Sequence, residues 1–231
     1  VHGHPAWFPD GQSLVYFATE DASGWRAETQ FDVKRPPANL YRHDLESDVV
    51  QRLTKGAWVD ERPVVTPDGK AIIFVSNRSG TGLNLWALDL ESGDIMQLTD
   101  GSPLDYRPVI SPDGQKIAYF TSDGAGGKHV LAMISWPEAR PLPLSLQQDF
   151  AWLHGPWWAA DSRHIIAHGL VAGDARPALW RLDSREGRCR RLILPGVQDS
   201  SHGSVDKAES WLAFDSRQDF RLPPPTITGA V

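Results

Sequence analysis

The sequence predicts an all-β fold assembled from repeated four-stranded units. A phrase punctuated by proline and glycine recurs along the chain, and 18 Pro, 20 Gly and 10 Trp among 231 residues make a turn-rich, aromatic composition that suits short strands. No long stretch shows the apolar spacing of an amphipathic helix. Charge narrows the function: 23 Lys+Arg against 29 Asp+Glu give a net −6, and no basic run supplies the footprint that nucleic acid or an anionic membrane requires. No nucleic-acid partner is expected. No segment approaches the roughly 18 consecutive apolar residues of a membrane-spanning helix. Cys189 is the single cysteine, which excludes an internal disulfide framework and a cysteine-rich metal knuckle. A metal site would therefore need histidines and carboxylates. The N-terminus Val1-His2-Gly3-His4 has no initiator methionine, and the chain reads as a piece of a longer protein.

The recurring phrase defines the units. HPAWFPDGQSLVYF occupies 4–17, RPVVTPDGKAIIFV 62–75 and RPVISPDGQKIAYF 107–120. GPWWAADSRHIIAH at 155–168 is a degenerate fourth copy with Asp161-Ser162 in place of Asp-Gly. HGSVDKAESWLAFDS at 202–216 is a fifth that has lost the turn but keeps the apolar run Trp211 to Phe214. From Pro5 the markers Pro63, Pro108 and Pro156 follow at steps of 58, 45 and 48 residues. Such a step holds four strands of about five or six residues.

Within a unit the local chemistry assigns each element. A strand leads into Pro-Asp-Gly, where Pro presets φ and Gly accepts a positive one. A second strand leaves the turn at Ala71 to Val75 and Lys116 to Phe120. A third follows at Asn39 to Leu45, Asn84 to Leu90 and Ala178 to Asp183. The fourth ends in Arg52-Leu53-Thr54, Gln97-Leu98-Thr99 and Arg191-Leu192. Tandem four-stranded units of this length are blades of a β-propeller. The blades fall near 4–61, 62–106, 107–153 and 154–201, with a partial one at 202–231, in a single domain whose native ring would have six or seven. Trp86, Trp157 and Trp180 are expected to pack between blades. Leu222-Pro223-Pro224-Pro225 cannot supply ladder donors and reads as a loop or linker.

The units PVVTPDGKAIIFVSNRSGTGLNLWALDLESGDIMQLT and PVISPDGQKIAYFTSDG resemble the propeller repeat of the TolB-like family, with turn, strands and closing Leu-Thr in register across a whole blade. The resemblance covers essentially the whole chain. Such a fold serves binding modules and enzymes alike, so function has to be read from a site.

The residues just before the marker prolines share one face at the channel mouth. They are His2 and His4, Arg62, Arg107, His154 and His202. His2-Gly3-His4 on an extended strand would turn both rings to one side, a workable pair of metal ligands. In a closed ring the last blade adjoins the first, bringing His202 toward them, and three imidazoles with open positions suit a divalent first-row metal. Unrelated surface histidines are the alternative. Arg62 and Arg107 either bind a ligand or form salt bridges between blades, since Asp60-Glu61-Arg62-Pro63 and Asp105-Tyr106-Arg107-Pro108 repeat one phrase.

These segments further resemble one branch of such propellers, the oligogalacturonate lyases, which cleave uronate oligomers by manganese-assisted β-elimination. His2-Gly3-His4-Pro5 is similar to the segment supplying two metal ligands in that branch. Ser201-His202, with Asp215 thirteen residues on, is similar to the segment supplying a third. His154 with Trp157 is similar to the segment carrying the catalytic base. The resemblance implies that His2, His4 and His202 hold manganese and His154 abstracts the proton α to a uronate carboxylate. Arg62 and Arg107 would then pair with the carboxylates. Independently of that resemblance, the first blade is longer than its neighbours by the insertion Glu20 to Ala38, which either folds over the channel as a lid, with Trp25 or Phe31 able to stack on a sugar, or is a disordered insertion. The rival reading is a non-catalytic propeller that docks a protein or peptide at its mouth. A lyase of this kind would be cytoplasmic and a TolB-like binding module periplasmic.

Overall fold

Four turn phrases give four antiparallel sheets in the computed structural model, which describes residues 2–19, 36–80, 82–122, 129–192, 199–205 and 212–217. The first sheet is β1 (His2–Trp7), β2 (Ser13–Thr19), β3 (Ala38–Asp44) and β4 (Val49–Arg52). The second is β5 (Asp60–Val65), β6 (Ala71–Ser76), β7 (Asn84–Asp89) and β8 (Ile95–Gln97). The third is β9 (Leu104–Ile110), β10 (Lys116–Ser122), β11 (His129–Ser135) and β12 (Pro141–Leu142). The fourth is β13 (Phe150–Trp158), β14 (His164–Val171), β15 (Ala178–Asp183) and β16 (Cys189–Leu192). A fifth has two strands, β17 (Asp199–Val205) and β18 (Leu212–Arg217). Strands neighbour one another in chain order within every sheet, because each connection is a hairpin.

The turns behave as their sequence requires. In Thr66-Pro67-Asp68-Gly69 the Gly69 N–H donates to Thr66 O at 2.8 Å, and Gly69 stands at φ 72°. Asp68 Oδ1 accepts from the Thr66 hydroxyl at 2.6 Å and from the Lys70 N–H at 3.1 Å. Those bonds, the hydroxyl's foremost, hold the carboxyl below its usual range. Ser162 takes the glycine's place in the fourth copy at φ 52°. The closing Leu-Thr is equally specific. Leu53 N–H donates to Leu40 O at 2.8 Å, while Leu40 N–H donates to the Thr54 hydroxyl at 2.9 Å. Leu98, Leu85 and Thr99 repeat the arrangement at 2.8 and 3.0 Å. The threonine side chain thus satisfies a buried donor just where the outer strand ends.

The chain divides into two compact units, Val1–Pro143 and Leu144–Val231. In the first, Phe8, Val15, Leu40, Ile72, Phe74 and Leu88 form one buried cluster drawn from two sheets, and Trp86 packs against it. That is the interblade role expected for an indole. Parallel bridges from Ala38 to Val59 and from Leu83 to Leu104 tie successive sheets together. Asp60, fully buried, accepts from Arg78 Nη2 at 2.8 and 2.7 Å and from the Ser76 hydroxyl at 2.6 Å. In the second unit Trp180 is buried edge-on to Phe150, ring centres 5.3 Å apart, and its indole N–H donates to Gly169 O at 3.2 Å. Most of the Glu20 to Ala38 insertion, with Trp25 and Phe31, lies outside the described residues, as does the proline-rich tail.

Candidate functional site

Every innermost strand is bulged at the same place. Register slips between Gly3 and Ala6 in β1, between Glu61 and Val64 in β5, and between His154 and Trp157 in β13. In β9 it slips opposite Ala118 and Phe120, and in β17 between Ser201 and Gly203. In the first four strands the bulge falls on the marker proline and the residue before it. That preceding residue is left-handed each time: His4 at φ 49°, Arg62 at 51°, Arg107 at 54° and Gly155 at 55°. For a histidine or arginine this conformation is costly, and a following proline disfavours the α region further. Three side chains held in it mark a place where the surrounding structure imposes a direction.

The bulge reorders the predicted row. His4, Arg62 and Arg107 share one position on β1, β5 and β9, and β5 packs beside both of its neighbours. His202 is the inserted residue of the β17 bulge. His154 stands one residue ahead of that position, which Gly155 occupies in β13. The strict alternation that would turn His2 and His4 to one side is broken at His4, whose exposed ring stacks on Phe17 at 5.6 Å. The side chains of His2 and His202 lie outside the described residues. Among the described residues no three His, Cys, Asp or Glu side chains converge as a metal site.

The arginines carry the electrostatics. Arg62 is 13 % exposed and its Nε lies 4.0 Å from Oε1 of the buried Glu61, beyond hydrogen-bonding reach. Arg107 is half-buried, its Nε is enclosed without an acceptor, and no carboxylate among the described residues pairs with it. An interblade salt bridge at Arg107 is therefore not what the structure holds. The carboxylate of that strand, Asp105, is 1 % exposed and takes only a long 3.5 Å contact from Asn84 Nδ2. Both guanidiniums act on the buried Tyr106 phenol. Burial raises its pKa, while Arg107 and Arg62 pull the other way. Two guanidiniums thus flank one aromatic on adjacent strands, with an imidazole at the same position on the third.

In the second unit His154 pairs directly across the ladder with His168. Trp152 lies against both, its ring centre 5.1 Å from that of His154 and 5.0 Å from that of His168. Sequence reading missed Trp152 and His168, although a signal was present. The position of His168 carries Phe17, Val75 and Phe120 in the first three copies and Asp215 in the fifth.

A 74-residue stretch is 35% identical to an uncharacterized protein of Agrobacterium fabrum, covering 32% of this chain and 20% of that protein. The crystal structure of TolB from Acinetobacter baumannii superposes on 95% of this chain with a TM-score of 0.70 at 19% identity. This chain covers 49% of it, about half its length. An oligogalacturonate lyase in complex with manganese superposes on 92% of this chain and 70% of its own, with a TM-score of 0.50 at 14% identity. At these identities the likeness to the solved structures is one of fold. Residues 1–191 match the model of the TolB β-propeller domain, and the chain belongs to that family.

Proposed function

We propose that this chain is a ligand-recognition propeller that binds an anionic, carboxylate-bearing segment of a protein or peptide partner through His4, Arg62 and Arg107. The observation that carries the reading is Arg107. A guanidinium half out of water, with an enclosed Nε and no carboxylate beside it, stands ready for a charge-assisted bond from outside. Arg62 and His4 extend the same bulge row across adjacent strands, so a ligand with successive acidic groups meets successive cationic or imidazole positions. Similarity to TolB structures is consistent with a partner-docking role. With a labelled hexaglutamate peptide as the probe, Arg107→Gln is expected to weaken binding by roughly 10- to 100-fold. Fluorescence anisotropy reads the effect, and unchanged affinity would refute the assignment.

A second reading keeps the row but makes the ligand a uronate oligomer cleaved by β-elimination. It is favoured by the ladder pairing of Ser201 with Asp215, which places the two parts of the lyase-like segment side by side. In it, His2, His4 and His202 would hold a divalent metal such as manganese, which supplies Lewis-acid stabilisation of a carboxylate. His154 would take the α-proton, and Arg62 and Arg107 would orient the uronates. This reading requires near-stoichiometric manganese in the purified protein that is lost in His202→Ala. Elemental analysis finding no metal after supplementation would discard it.

A further inference from the structure

We infer that His154 and His168 form a two-imidazole site for a divalent first-row metal ion, lying against Trp152 and separate from the arginine row. The two residues are direct partners across the antiparallel strands β13 and β14. Direct partners project to the same face with Cβ atoms about 4.5–5.5 Å apart, close enough for two imidazoles to close on one ion at a metal–nitrogen distance of about 2.0–2.1 Å. That the paired position brings rings together is visible in the third sheet, where its occupants Tyr106 and Phe120 lie 5.6 Å apart. Both histidine rings rest on Trp152 at 5.1 and 5.0 Å, which places the three side chains in one half-buried cluster.

The repeat itself singles out the pair. Gly3 and Phe17, Glu61 and Val75, and Tyr106 and Phe120 occupy these two positions in the first three sheets, each with an apolar residue on the second strand, while the two-stranded fifth sheet has Ser201 and Asp215 there. Only the fourth blade, among the described pairs, puts an ionisable ring on the second strand. An apolar side chain there serves packing, so a histidine in its place is the departure to explain. Imidazole nitrogen suits zinc, nickel and copper, and two protein ligands leave coordination positions open to water or to a donor from a bound partner. The site also excludes one role from another: a metal on His154 would occupy the lone pair that the lyase reading needs for proton abstraction. Failure of the metal site would thus leave the anion-binding row untouched.

The test is calorimetric titration of the intact chain with zinc chloride, beside His154→Ala, His168→Ala and Trp152→Phe. One zinc site is expected in the wild type, weakened about tenfold or more by either histidine substitution. Retention in Trp152→Phe is expected, because the indole donates no ligand. Copper should quench indole fluorescence in the wild type and much less in Trp152→Phe. Should His168→Ala fold poorly, His168→Phe restores the side chain that the first and third sheets carry and must still lose the site. Zinc binding equal to wild type in His168→Phe, or no zinc binding at all, would overturn the proposal.

Discussion

Replacing Arg78 with alanine lowers the unfolding free energy by about 3–5 kcal/mol, because it strands a buried carboxylate. Asp60 is fully buried, and both of its oxygens accept from Arg78 Nη2, at 2.8 and 2.7 Å. Ser76 supplies one further donor at 2.6 Å and cannot compensate a full charge. Arg78 also lies over Phe74 and Trp86, its guanidinium carbon 5.2 and 5.3 Å from their ring centres, so truncation removes packing as well as charge. Urea unfolding followed by tryptophan fluorescence should show the midpoint falling steeply. Arg62→Ala should fall less, since the Arg62 Nε stands 4.0 Å from Glu61 Oε1, a longer contact than the paired bonds between Arg78 and Asp60. Equal losses in the two variants would mean that the Asp60 bond does not organise this blade.

Phe74→Ala is the second large effect, at about 3–5 kcal/mol from lost burial and the cavity left behind. Phe74 is fully buried on β6 at the centre of the cluster formed with Phe8, Val15, Leu40, Ile72 and Leu88. That cluster draws on both of the first two sheets, so the loss extends beyond one blade. The ring also carries the Arg78 guanidinium, and the double variant should therefore lose less than the sum of the singles. Additive losses would show that the ring and the ion pair act independently.

The architecture was legible because turn chemistry is local. Pro-Asp-Gly fixes a hairpin wherever it stands, and apolar runs on either side leave little choice of pairing. The strands β6, β7, β10 and β15 lie where Ala71, Asn84, Lys116 and Ala178 announce them. The bulge was not legible, because it contradicts local preference. Nothing in His-Pro or Arg-Pro asks for a left-handed residue before proline, and the tertiary setting imposes it. Hence His4, Arg62 and Arg107 share one backbone position, while the alternation used to aim His2 and His4 together does not run through φ 49° at His4. The Asp60–Arg78 bond escaped notice because its partners are 18 residues apart, one opening β5 and the other in the turn after β6. Trp152 and His168 were within reach of the sequence, since a histidine replaces the apolar member of the repeat, but pairing register was needed to bring them to His154.

These elements meet in one physical argument about function. Bulged inner strands cost backbone energy at three bulky positions, and the same positions carry two guanidiniums and an imidazole. A packing role explains neither the conformation nor the unpaired Arg107. Titrating the intact chain with hexaglutamate, and separately with hexaglutamine, tests this most directly. Saturable binding of the acidic peptide alone, weakening as salt is raised, is the predicted result. Equal binding of both peptides, or binding of neither, would contradict recognition of an anionic partner by the arginine row.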